Sequence, residues 1–263
     1  MSEAIFSARA DGAFVPSGHA RGPWDPQAMH GGAPAALLVR AVERLEAPGP
    51  MLLSRITIEF LAPVPLAPVT VEAEVVRPGK RLQLAEATLA ADGKTILRAR
   101  AVRMRREAVE IPEAALPAPR LPRPEDVEPT PMEFLLHDEP DGFGATAMEL
   151  RFVEGVFNEP GPAIAWFRLA RPLVEGEEPS PAQRATAAAD FGNGIGAELL
   201  FETHVFVNTE LTMHLSREPV GEWIGVEART EHGPEGTAAA FSTLHDEQGP
   251  VGRGAQALYV AGR

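Results

Sequence analysis

Two periodicities alternate along this chain. From Ala33 to Leu45, apolar residues recur at helical spacing at Leu37, Leu38, Ala41, Val42 and Leu45. The first two turns are apolar nearly all round, which predicts a buried helix. A period of two follows. Leu53–Leu61 alternates Ile56, Ile58 and Phe60 with Arg55, Thr57 and Glu59, and Val69–Arg77 alternates through Val69, Val71, Ala73 and Val75. Leu82–Leu89 and Thr95–Arg105 flank Asp92-Gly93, a strong hairpin turn. Ahead of the helix, residues 5–15 predict a short hairpin around Asp11-Gly12, and 18–32 is a loop crowded with helix and strand breakers. One helix followed by antiparallel strands predicts an α+β fold rather than βαβ alternation.

The plan then repeats. Residues 107–131 carry prolines at 112, 117, 119, 122, 124, 129 and 131 with few large apolar residues, a linker of extended character. Beyond it, Phe143–Gly155 and Ile164–Leu169 predict strands and Pro181–Asp190 a helix. Val205–Leu215, Trp223–Thr230, Thr237–Leu244 and Val251–Val260 predict further strands, the last two joined by a turn at 245–249. Ile56-Thr-Ile-Glu-Phe60 corresponds to Leu211-Thr-Met-His-Leu215, about 155 residues later. Gly93 corresponds to Gly249 at nearly the same offset, and Arg98-Ala-Arg-Ala-Val102 to Gly254-Ala-Gln-Ala-Leu258. The pattern is an internal duplication: a first half at 1–106, a linker at 107–135 and a second half at 136–263. Two copies that share an interface leave a ligand cleft there.

Composition narrows the function. The 263 residues are 44% hydrophobic and 23% charged, ordinary for a globular protein with a sizeable core. A net charge of -13 argues against general binding of nucleic acid or anionic membranes. No apolar run suits a membrane span, and no leader pattern opens the chain, so a cytoplasmic location is expected. With no cysteine there is neither a disulfide framework nor a thiolate zinc site. The seven histidines are scattered, and no pair has metal-ligand spacing, so no metal is expected.

The candidate chemistry centres on Asp190. Ser180-Pro181 is a helix start, Ala185–Ala189 offers a face of low bulk, and Gly192, Asn193 and Gly194 are expected to end the helix. Asp190 then sits near a helix C-terminus, where the macrodipole disfavours negative charge. Taken alone it reads as a helix-end carboxylate bonded to a loop amide. Asn208 falls early in its strand, and Gln256 interrupts a strand that otherwise reads as packed, where a buried amide must find partners. Each alone reads as an ordinary strand amide. Gly192-Asn-Gly-Ile-Gly-Ala197 fits G-x-G-x-x-A only superficially, since a helix and not a strand precedes it. No G-x-S-x-G or H-E-x-x-H occurs, which argues against a serine hydrolase or a zincin. Arg98, Arg100, Arg103, Arg105 and Arg106 read as a solvated basic strip, with a clamp for nucleotide phosphates as a minority reading.

Taken in order, several segments resemble the TesB-like acyl-CoA thioesterases. In the first half these are Met29-His-Gly-Gly-Ala-Pro-Ala-Ala-Leu-Leu38, Phe60-Leu-Ala-Pro-Val-Pro65 and Val76-Arg-Pro-Gly-Lys-Arg81. In the second they are Ala189-Asp190, Asn208-Thr-Glu-Leu-Thr-Met-His-Leu-Ser-Arg217 and Gly254-Ala-Gln256. The resemblance implies a double hot-dog fold, in which each half wraps an antiparallel sheet around a central helix. It implies an acyl-CoA substrate, with CoA as part of the substrate and no separate cofactor, and a homodimer or higher homo-oligomer. The family's catalytic Asp, Ser or Thr (Asn in some relatives) and Gln fall on Asp190, Asn208 and Gln256. Asn208 departs from the better-known pattern, and Thr209 is the alternative at that position. Gln256 is followed by Ala-Leu-Tyr rather than the more usual acidic-Gly pair.

By this implication Asp190 takes a proton from water, Asn208 and Gln256 position that water, a helix N-terminal amide near Gly31 or Gly32 polarises the carbonyl, and His30, Gly31, Gly32 and Thr209 bind the substrate. Two other readings stay open. Asp25-Pro-Gln-Ala-Met-His30 has the D-x-x-x-x-H spacing of hot-dog enoyl-thioester hydratases, although Gly31-Gly32 follows where that family has an acidic residue. A non-catalytic acyl-thioester binding protein also fits.

Overall fold

A computed structural model describes residues 3–118, 121–131, 141–157 and 159–263. Linker residues 119–120 and 132–135, and the first residues of the second half at 136–140, lie outside the described residues.

Alternating strands form one continuous antiparallel sheet. In the first half, β3 (Met51–Phe60), β4 (Thr70–Arg77), β5 (Leu82–Ala91) and β6 (Lys94–Arg105) follow a preceding hairpin of β1 (Phe6–Ala8) and β2 (Phe14–Pro16). The hairpin turns at Gly12, with φ of +86°, and the β5–β6 turn places Asp92 and Gly93 at positive φ, as the Asp-Gly pair predicts. The second half supplies β7 (Met148–Glu154), β8 (Ala163–Leu169), β9 (His204–Asn208), β10 (Glu210–Leu215), β11 (Ile224–His232), β12 (Thr237–Asp246) and β13 (Gly249–Gly262). The strand order is β4-β5-β6-β3-β10-β13-β12-β11-β8-β7, with β9 on β13.

The halves meet where β3 pairs with β10. There Thr57 lies opposite Thr212, and the Thr212 hydroxyl donates to that of Thr57 at 3.1 Å. The same two residues are counterparts in the sequence duplication. A pair that is both hydrogen-bonded neighbour and repeat equivalent lies on the axis relating the two copies. The fold is therefore a double hot-dog with its pseudo-dyad at Thr57 and Thr212.

The central helices are α1 (Gly32–Glu43) and α2 (Pro181–Ala189). They lie antiparallel, since Gly32 meets the Ala187 carbonyl while Glu43 meets Ser180. Ala33, Ala35, Ala36, Leu37 and Leu38 of α1 are wholly buried, which accounts for its apolar surface all round.

Four local expectations need correction. Residues 143–147 form a π-helical turn rather than the first part of a strand. The Thr146 hydroxyl donates back to the Gly142 carbonyl at 2.9 Å, and the turn drives Phe143 into the core. The run Gly192-Asn-Gly does not stop the helix as a loop: after a break at Asp190 it forms the short α3 (Gly192–Ile195). The expected strand Val205–Leu215 is two strands, interrupted at Thr209. The basic strip divides by strand parity. Arg98 and Arg100 face out, the latter paired with Glu86 at 2.9 Å, whereas Arg103 is buried and donates to the Leu45 carbonyl and to Gln83.

At the far end of the helix pair, Glu43 accepts hydrogen bonds from Ser180 Oγ at 2.7 Å and Gln183 Nε2 at 2.8 Å. Burial pushes its carboxyl above the ordinary 4.5, and these two hydrogen bonds offset only part of the rise. A carboxyl raised in the folded state stabilises most at low pH, and that contribution is lost as pH rises from 4.5 through the folded value. Glu43→Gln therefore melts at a higher temperature than the parent at pH 8 and close to it at pH 4, a difference read by thermal unfolding at the two pH values.

Candidate active site

The site forms where the start of α1 meets the end of α2. Ser180 caps α2 by accepting from Gln183 N–H at 3.1 Å, and Pro181 fits the first turn. At its other end, Asp190 is the C-cap and is 4% exposed. No bulk separates it from α1. A Cβ on Gly32 would stand 2.7 Å from the Ala187 carbonyl oxygen, and one on Gly31 would stand 2.8 Å from Asp190 Oδ2 and 2.9 Å from the Phe60 ring. Gly32 is thus required by its approach to backbone, and a side chain at 31 would press on the Asp190 carboxylate itself.

Donors from three other elements converge on the Asp190 carboxylate. Asn208, the last residue of β9, donates from Nδ2 to Oδ1 at 2.8 Å. Gln256, buried on β13, places Nε2 at 3.4 Å from both Oδ1 and the Asp190 carbonyl. Its Oε1 accepts from Asn193 N–H at 3.0 Å, which fixes the amide's orientation. That bond explains why Gly192-Asn-Gly turns inward as α3. A Cβ on Gly192 would lie 3.1 Å from Gln256 Oε1.

His30 Nδ1 stands 3.0 Å from Asp190 Oδ2 and 3.1 Å from Gly32 N. One nitrogen holds either a lone pair or a proton, so these contacts are alternatives. With Nδ1 bare, it accepts from Gly32 N–H. With Nδ1 protonated, it donates to Asp190 and the Gly32 amide is released. The ring is held by stacking on Phe191 at 4.4 Å and by Phe143 at 5.1 Å, centroid to centroid. Phe143 owes its place to the π-helical turn.

Thr209 does not reach Asp190. Its Oγ1 and N–H both donate to the Ala257 carbonyl, at 3.2 and 2.9 Å, and its own carbonyl accepts from Phe60 N–H. Asp25 and His30 are not joined either. Asp25 Oδ1 accepts from Gln27 N–H at 2.8 Å and closes its own turn, while His30 pairs with Asp190. The basic residues 98–106 are not among those lining the cavity.

Asp190, His30, Gly31, Asn208 and Thr209 border a cavity of about 450 Å³ whose remaining wall is mostly apolar. A buried carboxylate held by donors, beside helix N-terminal amides and an apolar chamber, can take a proton from water next to an electrophilic carbonyl. Among the described residues, no cluster of three or more His, Asp and Glu forms a metal site, and no helix is long and apolar enough to cross a membrane.

The fold is a double hot-dog, with the candidate site where its two central helices meet. The chain belongs to the acyl-CoA thioesterase family: the family's N-terminal domain matches residues 20–104 and its C-terminal domain residues 118–260. It is a thioester hydrolase. The fold is shared with a hot-dog protein of Alicyclobacillus acidocaldarius (19% identity, TM-score 0.72, covering 97% of this chain and 95% of that one). It is shared too with a tesB protein of Mycobacterium avium subs paratuberculosis (16%, 0.66, 97% and 95%) and an acyl-CoA thioesterase II of Mycobacterium marinum (15%, 0.64, 99% and 96%). No curated protein matches the chain in sequence.

The glycine contacts yield a direct test. Gly31→Ala displaces the Asp190 carboxylate and lowers kcat for thioester hydrolysis by roughly 10²-fold, the usual effect of an ångström-scale misplacement. Steady-state kinetics on the folded variant measure it, and unchanged kcat would remove Gly31 from the site.

Proposed function

We propose that Asp190 is the general base of an acyl-CoA hydrolysis yielding a free acid and CoA. Asp190 removes a proton from water as the water oxygen attacks the thioester carbonyl. The oxyanion faces the amides at the start of α1, the Gly31 and Gly32 N–H groups. Collapse breaks the C–S bond, and the departing thiolate takes the proton from Asp190. Atoms balance with one water consumed and one thiol released.

The observation carrying this reading is the convergence of Asn208, Gln256 and His30 on a buried carboxylate that borders the cavity. Asn208 and Gln256 orient Asp190 and its water. His30 holds the second carboxylate oxygen, and in the protonated arrangement its ring frees the Gly32 amide for the oxyanion. Thr209 borders the acyl-CoA through backbone bonds that keep β9 and β10 in place. Pairing of His30 with Asp190 across the halves favours this chemistry over hydration by Asp25 and His30.

Asp190→Asn keeps shape and hydrogen-bonding size but cannot accept the proton. Thiol release from acyl-CoA falls about 10²- to 10⁴-fold, the range for a lost acid–base group, with little change in melting temperature. Asn208→Ala loses more activity than Thr209→Ala. A folded Asp190→Asn protein with full activity contradicts the assignment, and the reverse order at 208 and 209 moves the second role to Thr209.

A further inference from the structure

The cavity wall has a composition unlike the rest of the chain. The sequence holds 12 phenylalanines, only 6% of its residues are aromatic, and the core is built largely of Ala, Leu, Ile and Val. Yet among the described residues half of those phenylalanines, and Trp24, line this one cavity, against Met29, Leu61, Val64 and Val207 as sizeable aliphatic groups.

Beyond the rings that hold His30, a separate aromatic group forms its own small cluster. Trp24 meets Phe201 at 5.3 Å and Phe206 edge-on at 5.3 Å. Phe201 meets Phe206 at 4.6 Å and stacks on Phe157 at 5.3 Å. Phe201 and Phe206 are 5% and 2% exposed, so these two rings are packed into the wall. The Arg263 guanidinium lies over the Trp24 ring, 5.6 Å from its centroid, so this face is taken by a cation and is not open to stack on the adenine of CoA. What remains for a bound group is a set of ring edges and faces at the spacing aromatic pairs prefer.

We propose that the acyl group this site selects is aryl-substituted, a ring joined to the thioester carbonyl directly or through a short linker. The proposal rests on the thioester-hydrolase reading of Asp190 and names its substrate class. An aromatic ring gains edge and face contacts with the cluster that an alkyl chain cannot make, and it brings fewer torsions to be frozen.

The experiment compares kcat/KM for phenylacetyl-CoA and octanoyl-CoA, which have the same number of acyl carbons. The parent protein prefers phenylacetyl-CoA by about tenfold, the effect of one or two favourable ring pairs. Trp24→Leu and Phe201→Leu each bring that ratio toward one. Trp24 is partly exposed, so its variant keeps the test alive if Phe201→Leu fails to fold. A parent ratio at or below one, or a ratio that neither variant moves, overturns the proposal. If neither thioester releases thiol, the hydrolytic reading has failed instead. Calorimetric binding of phenylacetate and octanoate then decides this point alone: tighter phenylacetate sustains it, and equal or tighter octanoate overturns it.

Discussion

Close approach between the start of one helix and the end of another is the constraint on which this candidate active site depends. Gly31 and Gly32 bring the first turn of α1 against Asp190 and the Ala187 carbonyl, at separations that leave no room for a Cβ. The small residues Ala185–Ala189 do the same from the α2 side. The result is a carboxylate almost out of water, which is costly unless donors surround it. They come from His30 before α1, Asn208 on β9 and Gln256 on β13. Each element is held by a different part of the sheet, so the site reports on the assembly of both halves.

The pseudo-dyad through Thr57 and Thr212 makes the two ends of the helix pair formal equivalents. Chemistry has separated them. Each end sets a carboxylate from one helix against the beginning of the other. Glu43 is bound by the cap and first turn of α2, through Ser180 and Gln183. Asp190 instead faces the N-terminal glycines of α1, with His30 Nδ1 within reach of both the Gly32 amide and the carboxylate, beside an apolar cavity. At one end two side chains of α2 bind the carboxylate and lock the helices together; at the other a single ring, His30, is shared between the helix amide and a carboxylate that borders the cavity.

Much of this was readable from periodicity alone. The buried helix, the alternating strands and the Asp92-Gly93 turn follow local rules that tertiary context did not override, and the duplication could be counted from matched segments. Local rules failed where a distant partner decided the conformation. Gly192-Asn-Gly reads as a helix stop, yet Gln256, more than sixty positions away in the chain, gives the Asn193 amide its acceptor and helix resumes. Phe143 reads as the start of a strand, but the bond from Thr146 to Gly142 rolls the backbone into a π-helical turn. The break at Thr209 arises because β13 pairs with β10 and β9 in turn, which no strand propensity encodes. Of the site itself, the residue types at 190, 208 and 256 were visible as isolated oddities and through resemblance. The contact of His30 with Asp190 was not, since it crosses the two halves.

The central claim is that Asp190 activates water rather than attacking the thioester itself. A single turnover in ¹⁸O-labelled water, with enzyme in excess and both acid product and Asp190-containing peptide weighed by mass spectrometry, reports which carbonyl the water attacks. Base-activated water puts the label in the released acid and leaves Asp190 unlabelled. Label in the Asp190 carboxylate, with unlabelled acid from the first turnover, would show an acyl-aspartyl anhydride and contradict the account.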